Sequence, residues 1–186
     1  MREEYAMIID IIKSAYDTNT GQIVHLVGDN NFNLLEAVSL PNVSIKIQEK
    51  VYIGFGKRNK IKTIKNIINH SKLSSFAQEE LENSIERIIE EKQDFFIDFI
   101  NNMRPLTKKK HQCELLPGIG KKYMWNVINE RKKSKFINFD DFNKRVSLGI
   151  DIKKSIKKRI LEELKNNNIK WRLFNKKNPV NLYKRN

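Results

Sequence analysis

Residues 111–133 read HQCELLPGIGKKYMWNVINERKK and place a glycine-containing turn between two helical patterns. In this segment Gly118 and Gly120 lie one residue apart, and Lys121 and Lys122 follow directly. Glycine is costly inside a helix and useful where the backbone turns tightly or approaches another group closely. The segment therefore predicts a tight turn whose backbone either packs against the protein or binds a ligand.

The turn resembles the helix-hairpin-helix motif, whose pattern is apolar, Pro, Gly, apolar, Gly, followed by a second helix. The first backbone N–H groups of a helix lack intrahelical acceptors and carry the positive end of the helix dipole, so they attract anions. We expect Ile119 to point inward and the lysines to add positive charge, which favours phosphate binding over a purely structural turn. The predicted phosphate contacts are Pro117, Gly118, Ile119, Gly120, Lys121 and Lys122.

Charge is distributed unevenly along the 186 residues, although the net charge is +14 and the isoelectric point is near 9.8. Residues 1–103 contain 12 Lys+Arg and 15 Asp+Glu, whereas residues 104–186 contain 24 and 7. A basic half of this kind is typical of a module that binds a polyanion. A coding bias toward Lys and Asn is the alternative explanation, but such a bias would not by itself leave the first half acidic.

Composition also disfavours several classes of protein. Cys113 is the single cysteine, so an internal disulfide is excluded and we expect a reducing compartment. No apolar run approaches the roughly 18 residues needed to cross a bilayer. The three histidines are scattered and no P-loop is present,. We therefore expect a cytoplasmic protein with no membrane contact, no metal, no cofactor and no catalytic residues.

The first sixty residues are predicted to form short strands rich in Ile, Val, Tyr and Phe and separated by turn-forming residues. These segments are 5–12, 22–27, 32–39 and 50–55. The alternation in residues 43–48 indicates a further half-buried strand. Such strands favour a small OB-like barrel, a fold that stacks bases on exposed rings. Tyr52, Lys57 and Arg58 are candidate nucleic-acid contacts, whereas Phe32 is expected in the core.

After residue 60 the apolar period becomes helical, and it continues to residue 102 with acids on the other faces,. Ser74 and Ser75 are candidate caps, and Pro105 ends the run. The residues beyond it are again helical, except that 168–174 is a candidate strand.

A second helical hairpin is predicted around Gly149, between helices through residues 139–146 and from Ile152 onward. Asp151 would repel a phosphate there, so it is better suited to cap the helix that begins at Ile152. The basic residues of that helix form either a solvated face or a phosphate-binding surface. They are Lys153, Lys154, Lys157, Lys158 and Arg159.

Nearly the whole chain resembles an uncharacterised archaeal family, the domain of unknown function 655. The segments that carry the resemblance are EYAMIIDI, FNLLEAV, EKVYIGFGKRNKI, HQCELLPGIGKKYMWNVINERKK and FINFDDFNKRV. The resemblance implies an α+β protein with an OB-like β-barrel in residues 1–60, a helical connector in 61–104 and a basic helix-hairpin-helix domain in 105–186. It also implies binding to nucleic acid, with RNA preferred over DNA, and points toward the ribosome or translation.

Two other functions remain open at this stage. Helix-hairpin-helix DNA glycosylases with lyase activity place a catalytic lysine just after the hairpin glycines and an aspartate about twenty residues later, and Lys122 and Asp141 match that arrangement. The Gly/Pro-rich loop that normally precedes the aspartate is absent, however, and the helices are too few. Alternatively, the acidic connector helices dock a protein partner, an interaction that would be less sensitive to salt than nucleic-acid binding.

Overall fold

A computed structural model describes residues 3–12, 21–147, 149 and 151–176. Backbone contacts divide the chain into two compact units. The first combines Met1–Ser84 with Glu163–Asn186, and the second is Ile85–Glu162. The boundaries expected at residues 60 and 104 therefore fall inside these units and not between them.

Five antiparallel strands form a half-barrel in the first unit, in the order β4-β1-β2-β3-β5. The strands are β1 (Tyr5–Ile12), β2 (Ile23–Gly28), β3 (Leu34–Ser39), β4 (Lys50–Tyr52) and β5 (Ile61–Ile67). Alternate apolar side chains of all five strands meet in one core, which includes Ile8, Leu26, Leu35 and Ile61. Phe32 is also buried, as predicted.

Helices follow the half-barrel, and the α+β class is confirmed. The described helices are α1 (Ser75–Glu91), α2 (Gln93–Asn101), α3 (Lys121–Lys133), α4 (Phe139–Val146) and α5 (Ile152–Lys165). Ser74 caps α1, since its hydroxyl oxygen accepts a hydrogen bond from the N–H of Ala77 at 3.1 Å. A short hairpin, β6 (Pro105–Thr107) with β7 (Lys110–His111), and a 3₁₀ helix (Gln112–Leu115) lie between α2 and α3.

Strand β5 corrects the prediction that the helical connector begins at residue 61. Ser39 pairs with Ile61, Ala37 with Ile64 and Leu35 with Ile67, so β5 advances three residues where β3 advances two. Each such step is a bulge that inserts one extra residue into β5. Buried and half-buried isoleucines consequently recur every third residue, which imitates the spacing of a helix.

Two predicted strands are also absent from the described residues. Residues 43–48 form a loop, although Ile45 and Ile47 pack against the core while Ser44 and Lys46 are exposed. Residues 168–174 form bends and irregular backbone. In the first case the alternation reports burial on one side of the chain and not pairing with a neighbouring strand.

A buried carboxylate organises the segment that follows α5 in the first unit. The side chain of Glu163 accepts hydrogen bonds from the backbone N–H groups of Leu173, Phe174 and Asn175 at 2.7–3.0 Å. The amide of Asn175 in turn donates to the carbonyl oxygens of Asn31 and Phe32. The segment after α5 is thereby tied to the loop between β2 and β3.

We expect Glu163→Gln to lower the free energy of unfolding by about 1–3 kcal/mol, because one carboxylate oxygen is replaced by an amide nitrogen that cannot accept these N–H groups. Urea denaturation followed by circular dichroism measures the change. Glu162→Gln is the matched control, since Glu162 is half-exposed and forms a 3.7 Å ion pair with Arg159. Equal stability of the two variants would contradict a structural role for Glu163.

Candidate nucleic-acid interface

The chain enters the glycine turn from the 3₁₀ helix, which is capped at His111. The Nδ1 atom of His111 accepts a hydrogen bond from the N–H of Cys113 at 3.1 Å, and the carboxylate of Glu114 accepts from the N–H of His111 at 2.8 Å. Burial, with a smaller contribution from the nearby Arg131, lowers the pKa of His111. The lowered pKa favours the neutral imidazole, in which Nδ1 can accept this hydrogen bond. The helix predicted through Leu115 is thus one four-residue 3₁₀ helix.

The turn itself reverses direction at Gly118, whose φ of +89° lies in the left-handed region that favours glycine,. The N–H of Ile119 donates to the carbonyl of Leu116 at 3.0 Å, and the side chain of Ile119 is buried, as predicted. On the other side, the hydroxyl of Ser155 donates to the carbonyl of Pro117 at 2.5 Å. The turn is consequently fixed from within while Gly118 and Gly120 stay exposed.

Helix α3 begins at this turn with an open N-terminus. Gly120 occupies the N-cap position and no side chain caps the helix there. A Cβ atom added to Gly120 would have no neighbour within 4 Å. The first turn of α3 contains no acidic residue, and Lys121 and Lys122 are exposed. The lysines add to the positive end of the helix dipole instead of compensating it.

Helix α4, in contrast, has both a capping side chain and acidic residues at its N-terminus. The side chain of Asn138 accepts a hydrogen bond from the N–H of Asp141 at 2.8 Å, and both Asp140 and Asp141 lie in the first turn. Helix α5 resembles α4, because Asp151 accepts from the N–H of Lys153 at 2.9 Å, as its predicted capping role requires. Compared with these two starts, α3 lacks both a capping side chain and an acid in its first turn.

An open cleft of about 520 Å³ runs along the glycine turn. It is lined by residues 115–120 and by Lys110, Glu114, Arg159 and Glu162. Glu114 already accepts from the N–H of His111, and Glu162 lies 3.7 Å from Arg159. The residues of the turn therefore line a cleft that is open to solvent.

A second groove of about 590 Å³ lies between the β6–β7 hairpin and α3, and sequence reasoning missed it. We call it the tryptophan groove. Residues of the β6–β7 hairpin and α3 line it: Pro105, Thr107, Lys108, Lys109, Lys110, His111, Glu114, Lys121, Met124, Trp125, Ile128 and Arg131. The sequence does contain an indication of this exposed ring, because Trp125 lies beside the apolar stripe of Met124, Val127 and Ile128 and not within it.

The basic face predicted on α5 is partly neutralised by α1. Lys153 forms an ion pair with Glu90 at 3.3 Å, and Lys157 forms one with Glu86 at 2.9 Å. The hydrogen bond from Lys157 lowers the pKa of Glu86. These pairs repeat at i and i+4 on both helices, which aligns them along one face.

The remaining basic residues of α5 differ in exposure. Lys154 and Lys158 are exposed and form no ion pair with any residue that the structure describes. Arg159, in contrast, is buried beside Glu162. Only part of the predicted α5 surface is therefore available to phosphate groups.

The candidate contacts in the half-barrel form a turn of their own. The hydroxyl oxygen of Tyr52 accepts from the N–H of Gly56 at 3.0 Å, and Arg58 is buried with its Nε donating to the carbonyl of Gly54 at 2.9 Å. Lys57 and Phe55 are exposed. This departs from the expectation that Arg58 adds charge to the surface and makes Phe55 the exposed ring of this turn.

The residues considered for lyase chemistry have different environments. Lys122 is exposed in the first turn of α3. The carboxylate of Asp141 accepts from the N–H of Ile137 and forms an ion pair with Arg145, both at 3.1 Å. Asp141 thus stabilises the start of its own helix. Across the described ranges, no cluster of three or more His, Cys, Asp or Glu side chains is arranged to hold a metal ion.

The profile of a family described as "Protein of unknown function (DUF655)" matches residues 2–176. The chain belongs to this family. It is 39% identical over 163 residues to the uncharacterized protein MJ0038 of Methanocaldococcus jannaschii, a match that covers 87% of this chain and 74% of the relative. It is also similar to the crystal structure of Af1531 from Archaeoglobus fulgidus, with a TM-score of 0.83, 36% identity and coverage of 94% and 100% of the two chains.

In the ranges that the structure describes, every helix is too short or too polar to span a bilayer.

Substitution of the two turn glycines should separate conformational from steric effects. We expect Gly118→Ala to lower the free energy of unfolding by about 1–2 kcal/mol, because a Cβ atom is strained in the left-handed region. Gly120→Ser should cost no more than about 0.5 kcal/mol, since the backbone of Gly120 is extended, its surroundings are empty and Ser is a favourable N-cap residue,. Thermal denaturation measures both, and equal losses would show that the positive φ of Gly118 is unimportant.

The neutral state of His111 predicts a dependence of stability on pH. Because the folded pKa lies below the ordinary value of 6.5, the stability that His111 contributes is complete above pH 6.5 and is lost as the pH falls through the folded pKa,. His111→Asn keeps a capping acceptor that does not titrate, so it should reduce the loss of stability between about pH 7.5 and about pH 5.5. Urea unfolding at both pH values tests this; an unchanged pH dependence in the variant would contradict it.

Proposed function

We propose that this protein binds nucleic acid, with RNA preferred, through the sugar-phosphate backbone of the strand at the open N-terminus of α3. One observation carries the proposal: α3 begins at an exposed, uncapped Gly120 and continues with two exposed lysines and no acid. A phosphate placed there would accept hydrogen bonds from the first N–H groups and compensate the lysines.

The charge of the surrounding sequence supports a polyanion as the ligand. Residues 104–186 carry 24 Lys+Arg against 7 Asp+Glu, and exposed Lys154 and Lys158 lie on α5 of the same unit. Contacts of this kind position a strand without reading its bases, so the proposed binding is not sequence-specific. The preference for RNA and a role near the ribosome rest on the resemblance described above.

The alternatives have weaker support. Docking of a protein on the acidic helices competes with the ion pairs that Glu86 and Glu90 of α1 already form with α5. Lyase chemistry at Lys122 would require Asp141 to act on a substrate, whereas its carboxylate is engaged by Ile137 and Arg145. We therefore propose a binding protein and no reaction.

Gly120→Asp tests the proposal sharply, because it separates folding from binding. Asp is a favourable N-cap with a favourable charge at this end of a helix, so the variant should be as stable as the parent or more stable. The same carboxylate would repel a phosphate, and affinity for RNA should fall about tenfold or more. Gly120→Ser is the matched control, since it caps the helix without the charge and should lose less affinity. Parent-like RNA binding by the Asp variant would overturn the proposal.

Fluorescence anisotropy at several salt concentrations, with RNA and DNA strands of one sequence, measures these affinities. The logarithm of affinity should fall linearly with the logarithm of salt concentration, and Lys121→Gln should flatten that slope by roughly 1. An affinity that salt does not change would favour an apolar protein partner instead. Crosslinking in cells followed by sequencing of the attached nucleic acid then tests the proposed link to the ribosome.

A further inference from the structure

The tryptophan groove combines an exposed aromatic ring with a rim of cations. Trp125 is 57% exposed, which is unusual for the largest apolar side chain,. The groove surface around it is mostly apolar and includes Met124 and Ile128. Such an arrangement leaves one face of the groove suited to a flat, apolar ligand.

Lysines surround this apolar floor. Lys108 and Lys109 form the tip of the β6–β7 hairpin, Lys110 begins β7, and Lys121 belongs to the first turn of α3. Among residues 3–12, 21–147, 149 and 151–176, no carboxylate forms an ion pair with any of these four lysines. Of the residues lining the groove, Glu114 alone is acidic. The charge complementarity therefore favours an anionic ligand.

Arg131 does not add to this rim of cations, because its guanidinium binds backbone carbonyls of the same unit. Its guanidinium donates hydrogen bonds to the carbonyl oxygens of Ile100 and Met103 at 3.0 and 2.9 Å. These bonds attach α3 to the end of α2. The apolar floor of the groove thus belongs to a fixed helix, while its free cations belong to the hairpin and to the start of α3.

The groove adjoins the proposed phosphate site. Lys110 and Glu114 line both the tryptophan groove and the cleft along the glycine turn. Trp125 lies one helical turn after Lys121, on a neighbouring position of the α3 surface. One turn is about 5.4 Å along the helix axis, a step that a single nucleotide spans between its phosphate and its base.

We propose that the tryptophan groove holds an unpaired base of the bound strand, stacked on Trp125, with the flanking phosphates on the lysines of the β6–β7 hairpin. This inference rests on the proposed function and narrows its ligand to a strand with unpaired nucleotides. Stacking on an aromatic ring tolerates any base, so it adds affinity without sequence specificity. A base inside a duplex is already stacked on its neighbours and presents no free face to Trp125.

Three probes of equal length distinguish the contributions: a single strand of uridines, the same sugar-phosphate chain without bases, and a blunt RNA duplex. Binding is measured with the full-length protein by anisotropy and by quenching of tryptophan fluorescence. We expect the uridine strand to bind about tenfold more tightly than the abasic strand, and to quench the fluorescence. The duplex should bind without quenching.

Variants of Trp125 assign the effect to this ring. Trp125→Leu should bind the uridine and abasic strands equally and should lose the quenching, whereas Trp125→Tyr should keep most of the preference for bases. Leu preserves apolar bulk at the site, and circular dichroism of both variants checks that the fold is retained.

The outcomes separate this inference from the proposed function. Equal affinity of the parent protein for uridine and abasic strands, without quenching, overturns stacking and leaves phosphate binding intact. If the uridine strand binds tightly and quenches the fluorescence, and Gly120→Asp does not weaken that binding, the groove is supported and the phosphate site at the start of α3 is overturned. Failure of all three probes to bind overturns both, and quenching by an acidic peptide in their place would assign the groove to a protein partner.

Discussion

The positive φ of Gly118 is the constraint on which the candidate interface depends. It turns the chain out of the 3₁₀ helix so that α3 begins at the surface, with Ile119 buried beneath and Gly120 open above. The carbonyl of Pro117 is held by Ser155 of α5, so the turn is fixed from two sides. The start of α3 is therefore held in one conformation, which limits the conformational entropy that any association there would cost.

The two units use buried polar groups in a similar way. In the first, Glu3 accepts hydrogen bonds from the backbone N–H groups of Asn30, Asn31 and Asn33, although burial raises its pKa. In the second, Arg145 donates to the backbone carbonyls of Glu130, Ser134 and Lys135, which joins α3 to α4. In each case one charged side chain binds several backbone groups where a strand or a helix ends.

Local features were readable from the sequence. The caps at Ser74 and Asp151, the buried Ile119 between two glycines, and the full extent of β1 all follow from interactions within a few residues. Strand β5 was not readable, because its bulges replace the period of two by a period of three. Pairing of Lys153 with Glu90 joins residues 63 positions apart, and the sequence pattern alone does not specify such contacts. Arg58 is a similar case, since it is buried and its Nε donates to the carbonyl of Gly54, an environment that the type of residue alone does not indicate.

The bulges in β5 also affect how the half-barrel behaves toward other molecules. Strand β5 is one edge of the sheet, and the two extra residues that the bulges insert are Lys62 and Lys65, both exposed. An edge strand that is regular and uncharged can recruit a strand from a second chain and start aggregation. Bulges twist such an edge, and lysines add mutual repulsion between copies. The same bulges that give β5 the apolar spacing of a helix thus protect this edge of the sheet from pairing with a strand of another chain.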